Sequence, residues 1–252
     1  MLHSKILMKR NTLCAAMVLL AGSLMAADKD DVSAAIAKLA AADNYSWKST
    51  VANPAGGGGG RRGGFGAGPV DGKAQKNGLI FVSLGGRGGG PGTDAFVQST
   101  NGAMKTEDGW QSLAAATKDE GAGGFTPARF MAMRLQAYKA PAAEAKDLLA
   151  KTKSIAKADD VYSGDLTEEG AKAFLSFGPP RGGGEGPEIS GAKGSVKFWL
   201  KDGVLSKYEI KVQGTISFNG NDRDVDRTTT IEIKDVGTTK IEVPDEAKKK
   251  LS

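Results

Sequence analysis

The sequence predicts an α+β domain in which an antiparallel sheet with one apolar face is covered by helices. Three observations carry this. Val196, Phe198 and Leu200 alternate with Lys197, Trp199 and Lys201, and after Asp202-Gly203 the residues Tyr208, Ile210, Val212, Ile216 and Phe218 oppose Lys207, Glu209, Lys211, Gln213 and Ser217 in parity. Such period-two alternation marks strands buried on one side only. Asn-Gly and Asp-Gly pairs punctuate the chain at hairpin spacing, and the middle third instead shows apolar residues three and four apart, as helices do.

The chain opens with Lys5, Lys9 and Arg10, then the uncharged run Leu13 to Met25, then Asp28, Asp30 and Asp31. This is the pattern of a secretory leader (1–27), cut near Ala26 or Ala27. The run falls short of the ~20 apolar residues that span a bilayer. The expected mature chain, 28–252, is periplasmic or secreted and forms one domain. The leader takes with it His3 and Cys14, the only histidine and cysteine, and leaves 31 basic against 29 acidic residues. Cys14 stands behind Leu13 near the start of the apolar run, the wrong place for lipidation.

Asp30 to Ala42 reads as a helix, with Val32, Ile36 and Leu39 on one side, and Tyr45 to Ala52 as a strand. Glycine-rich stretches at about 55–69, 85–92 and 178–187 cannot form regular structure, because glycine loses too much backbone entropy and offers nothing to pack. Between the first two, Val70–Lys76 and Leu79–Leu84 flank Asn77-Gly78, and a second hairpin, Asp94–Thr100 with Ala103–Glu107, is expected around Asn101-Gly102. Asp108-Gly109 then turns the chain into Trp110. Thr126-Pro127 starts a helix through Tyr138, Pro141 starts another through Lys151, Tyr162 opens a short strand, and Thr167 caps a helix through Phe177. A long hairpin follows, with Gly214 on its apolar parity permitting a bend or a close approach. Thr228–Lys234 makes a third strand with Ile231 and Ile233 inward, and Ile241 and Val243 lead through Pro244 to a Lys-rich helical tail.

A mature chain without histidine or cysteine has no imidazole base, no Ser-His-Asp or Cys-His nucleophile and no thiolate or imidazole metal site. Most of its carboxylates sit at helix starts (Glu168, Glu169), in turns (Asp108, Asp202) or alternate with lysine on strands (Glu209, Glu232), as on a solvated face. No enzyme, no cofactor and no metal are therefore expected. Asn219, Asn221, Asp222, Asp224 and Asp226 resemble a calcium loop, but Arg227 stands where glycine is required and Ile233 where the closing Glu belongs. A polar hairpin loop is the reading taken. Arg61, Arg62, Arg87 and Arg181 lie in Arg-Gly-Gly-like settings, yet the export signal and near-neutral charge argue against nucleic acid. They are candidates for a rim that meets an anionic headgroup or a partner protein.

The C-terminal half carries a resemblance. The helix with Leu148-Leu149, the stretches VYSGDLTEEGAKAFL (161–175) and VKFWLKDGVLSKYEIKV (196–212), and the ending IEVPDEAKKKL (241–251) follow one another in an order similar to the superfamily of periplasmic lipid and lipoprotein carriers. That superfamily includes LolA and the lipid-carrier lipoproteins LppX and LprG. The resemblance implies a strongly curved antiparallel sheet, an unclosed β-barrel, with helices covering its concave face and an apolar cavity between them for acyl chains. It covers about half of the mature chain; the lipobox of the lipoprotein members is missing, and the glycine-rich loops belong to no pattern of the family.

The candidate lining of such a cavity is Trp47, Phe81, Phe96, Phe198, Leu200, Tyr208, Ile210, Val212, Ile216, Phe218, Ile231 and Ile233, with Met131 and Leu135 on the covering helices. The competing expectation is that the same residues form a filled core, since alternation shows burial and not what occupies the space. The implied function is a non-catalytic, monomeric carrier of a lipid or an acylated protein, with an envelope protein as a further partner. The alternative is an interaction or sensor module of the same fold that transports nothing.

Overall fold

The computed structural model describes residues 27–52, 69–85, 92–118, 126–176, 187–218 and 220–251, without the side chain of Phe218. Helix α1 (27–41) precedes β1 (Asn44–Ala52), and four hairpin-linked strands follow: β2 (Val70–Gln75), β3 (Leu79–Leu84), β4 (Thr93–Gln98) and β5 (Asn101–Thr106). The short β6 (Gly109–Ser112) leads into α2 (Leu113–Lys118), α3 (Pro127–Gln136) and α4 (Pro141–Ala150). Then come β7 (Ala156–Ala158), β8 (Val161–Asp165), α5 (Glu168–Leu175), the long strands β9 (Glu188–Lys201), β10 (Val204–Phe218) and β11 (Asn221–Lys234), and α6 (Asp245–Lys248).

All eleven strands join one curved antiparallel sheet in the order β6-β5-β4-β3-β2-β1-β11-β10-β9-β8-β7, open at β6 and β7. The first strand meets the last at the centre, Trp47 opposite Ile233 and Ser49 opposite Ile231, so the two halves of the chain are stitched by backbone hydrogen bonds. Because successive strands reverse direction, Ala52, Val70, Leu84, Thr93 and Glu188 all fall at one end of the sheet. These residues border the three glycine-rich stretches.

Strand alternation divides the apolar residues between two faces. On one face, Ile80 and Val82 of β3 and Tyr208, Ile210 and Val212 of β10 pack with Val32 and Leu39 of α1, Leu113 of α2, Leu135 of α3, Leu148 of α4 and Leu175 of α5. This is the helix-covered, concave face and the main core. On the other, Leu79 and Phe81 of β3, Phe96, Ala103 and Trp110 pack under the C-terminal tail through Ile241, Val243, Ala247 and Leu251.

Capping chemistry places the helices as their sequences require. Thr126 accepts a hydrogen bond from the Arg129 amide at 3.2 Å and Thr167 one from the Gly170 amide at 3.0 Å, each satisfying an otherwise orphaned donor of a first turn. At Gly214 the close approach is that of Leu175: a Cβ there would lie 2.8 Å from Leu175 Cδ1. The register between β9 and β10 also shifts between Gln213 and Thr215.

Two expectations are corrected, and one helix is new. The second hairpin turns at Ser99-Thr100, not Asn101-Gly102, with Gln98 opposite Asn101 and Ser99 in the left-handed region at φ 55°. Gly102 lies on β5, where a Cβ would sit 2.5 Å from Leu113 Cδ1, so packing under α2 fixes the glycine and not the turn. The polar stretch after Phe218 is not a loop beyond Gly220 but the start of β11. Its aspartates accept cross-strand hydrogen bonds from β10: Gln213 to Asp226 at 2.8 Å, Thr215 to Asp224 at 2.7 Å and Ser217 to Asp222 at 2.6 Å. Helix α2 was not expected from the sequence.

Candidate functional site

Among the described residues, the predicted lining residues divide between two apolar clusters on opposite faces of the sheet. Trp47, Leu135, Phe198, Tyr208, Ile210, Val212, Ile231 and Ile233 belong to the main core, and Met131, Leu200 and Ile216 pack against it while keeping partial exposure. Phe198 is 0% exposed, and Tyr208 and Val212 are each 1% exposed. Side chains lining a solvent-reaching hollow would retain accessible surface, so these three are packed against protein atoms. Phe81 and Phe96 lie on the opposite face, their rings 5.1 Å apart, with Trp110 a further 5.4 Å from Phe96. Phe218 lies on β10 with its side chain outside the described part, and Arg61, Arg62, Arg87 and Arg181 lie outside the described residues altogether.

Space opens elsewhere, between α1, α4 and the turn of the β2–β3 hairpin, in a groove of about 750 Å³. Helix α1 buries Val32, Ala35, Ile36 and Leu39 toward the core. Its flanking face, Ser33, Ala37, Ala40 and Ala41, forms one wall. Ala140, Ala142, Ala143, Lys146 and Leu149 form the opposite wall, Tyr45, Ala74 and Ile80 come from the sheet, and Gln75, Lys76 and Gly78 edge it. The groove exists because alanines stand where larger side chains would meet across it. None of the predicted lining residues with a described side chain faces it. Sequence reasoning missed it because an alanine on a helix flank carries no periodic signal. The Ala37, Ala40, Ala41 spacing beside the apolar stripe was the trace available.

A buried polar network holds α4 in position. Its N-cap, Ala140, has no side-chain acceptor; Tyr45 of β1 supplies one, its hydroxyl accepting from the Ala142 amide at 3.3 Å. One turn on, Glu144 Oε1 accepts from the Tyr208 hydroxyl of β10 at 3.0 Å. Tyr138, just before α4, stacks on Trp47 with centroids 6.4 Å apart and planes at 19°. Lys139 pairs with Asp147 on the outer side.

Burial dominates the electrostatics of this network. It pushes the Glu144 carboxyl above the usual carboxylate range; Asp147 adds to the rise, while the Tyr208 hydroxyl and Lys139 oppose it. Burial likewise raises the Tyr45, Tyr138 and Tyr208 phenols, which therefore act as neutral hydrogen-bonding groups. The network fixes a helix and a groove wall. Among the described residues, no cluster of His, Cys, Asp or Glu has the arrangement of a metal site.

The sequence did not reveal Arg227 as a concave-face residue. It shares the parity of Ile231 and Ile233 on β11, donates to the Phe174 carbonyl of α5, and is depressed by burial and by the charge of Arg134.

No family model matches the chain, and no curated protein sequence does. Solved structures to which it is similar include lipoprotein LppX of Mycobacterium tuberculosis, with a TM-score of 0.44 and 10% identity over 86% of this chain and 98% of that one. LprF of Mycobacterium bovis gives a TM-score of 0.44 and 13% identity over 87% and 97%. A LolA superfamily protein of Nitrosomonas europaea gives 0.30 and 10% over 83% and 94%.

Proposed function

We propose that this is an exported, non-catalytic binding protein, acting as a monomer, that carries a lipid or an acylated protein through the cell envelope with its acyl portion in the α1–α4 groove. An envelope protein that delivers or receives the cargo belongs to the same proposal. The observation that carries it is the groove: about 750 Å³, walled by alanine, isoleucine and leucine side chains and open to solvent. That volume falls within the ~300–1,000 Å³ of small-molecule sites, and each methylene buried there gains ~0.8 kcal/mol. Tyr45 and Tyr208 hold α4, one wall of the groove, through their hydrogen bonds with Ala142 and Glu144.

Native mass spectrometry with lipid extraction, on protein recovered from the periplasm, tests the reading directly. Co-purifying acyl lipid is the expected result, together with binding of a fluorescent fatty-acid probe that Ala143→Trp abolishes by filling the groove. Ala143 is exposed on α4, so the variant should melt within a few degrees of the parent. Absence of lipid together with absence of probe binding would leave the interaction or sensor alternative.

A further inference from the structure

We infer that the groove is built for a single-chain amphiphile with an anionic head, a fatty-acid carboxylate, whose head meets Lys146 and Lys76. The inference rests on the reading of the groove as an acyl site and adds its ligand class. Two ammonium groups belong to the lining, Lys146 from α4 and Lys76 from the β2–β3 turn, whereas no carboxylate does. The other polar groups there, Ser33, Tyr45 and Gln75, are neutral. Tyr45 stays protonated because burial raises its phenol.

Backbone dipoles do not decide the sign. The first turn of α4 brings positive potential to the groove and the last turn of α1 brings negative, so the two offset. Lys76 is partly engaged, lying 3.7 Å from Asp43 with both side chains well exposed, a pairing that contributes little in water. Lys146 makes no ion pair among the described residues, which leaves it the principal contact.

The remaining lining is apolar, and while Lys76 and Lys146 are exposed, Ile36 and Leu149 are buried. A head held at the mouth thus directs one chain inward. The volume matches one small ligand; lipids with two or three chains exceed it.

The test uses the full chain and three probes of equal chain length: palmitate, its methyl ester, and hexadecyltrimethylammonium. Titration calorimetry is expected to show palmitate bound more tightly than the ester and the cation bound least. Charged hydrogen bonds at a partly exposed site predict a roughly threefold to tenfold loss of palmitate affinity in Lys146→Met, more in the double variant with Lys76→Met, and no loss for the ester. Added salt should weaken palmitate alone. Equal affinity for palmitate and ester, or lysine variants that leave palmitate unchanged, would overturn the headgroup assignment while the acyl site stands. Failure of all three probes to bind would overturn the acyl site and this inference with it.

Discussion

A half-buried carboxyl group that accepts from a fully buried phenol is an unusual choice beside an apolar core, and Glu144 of α4 shows what it costs. Burial favours its protonated form and raises its pKa in the folded state above the ordinary value of 4.5. An acid with a raised folded pKa weighs nothing against folding at low pH, where it is protonated in both states. Stability is lost as pH climbs from the unfolded pKa through the folded one, because only the unfolded chain can then ionise it freely. Glu144→Gln keeps an acceptor for the Tyr208 hydroxyl and removes the titration. Urea midpoints measured from pH 4.5 to 8 should therefore fall less steeply with pH in the variant, and the variant should be the more stable at pH 8; parallel curves would show that the carboxyl ionises without penalty. The parity of β10 makes Tyr208 legible in the sequence as an inward residue. Its partner was hidden, although Glu144 lies four residues before Leu148 and so shares its helical face. A lone acid on an apolar stripe is easily discounted as solvated when the residue opposite it is unknown.

At the scale of elements, most strands and helices follow from alternation, hairpin residues and Thr caps, but which way a strand faces does not. The segment Leu79–Leu84, LIFVSL, is apolar at five of its six positions, so no alternation says which side Phe81 takes. Tertiary structure decides it through the C-terminal tail. Ile241, Val243, Ala247 and Leu251 cover Phe81, Phe96 and Trp110, and hydrogen bonds from Lys73 to the Lys240 carbonyl and from the Thr239 amide to Asn44 guide the chain across β1 and β2. The tail read from the sequence as a Lys-rich helical ending is thus a second core in its own right. Ending the chain after Lys240 should remove the cover and cost several kcal/mol, at ~1.5–3 kcal/mol for each large apolar side chain returned to water. The checks are a lowered urea midpoint, a red-shifted Trp110 emission in a variant keeping only that tryptophan, and a greater tendency to aggregate. An unchanged midpoint would show that the tail lies on the sheet without holding it.

Over the whole molecule, the chain separates two features at opposite ends of one sheet. The β2–β3 turn, the start of β1 and the groove lie at one end, whereas Ala52, Val70, Leu84, Thr93 and Glu188, which border the glycine-rich stretches, lie at the other. The sequence reveals the stretches and the strands but not this polarity, since which strand ends fall together depends on pairing order, above all on β1 joining β11. The arrangement makes the contributions of the two ends separable. Val70 pairs with Ser49 on the neighbouring strand, so a connection of about four residues is long enough to replace residues 53–68 as a hairpin loop. The closure entropy falls by ~0.6 kcal/mol for each halving of the loop, so the shortened chain should be about 1 kcal/mol more stable. Its affinity for palmitate should match that of the parent, because neither Lys146 nor the alanine walls are touched. Loss of palmitate binding with stability retained would place Arg61 and Arg62 in the ligand's path and move the site toward the glycine-rich end. Loss of stability would mean that residues 53–68 pack against the sheet and that strand pairing alone does not hold β1 and β2 together.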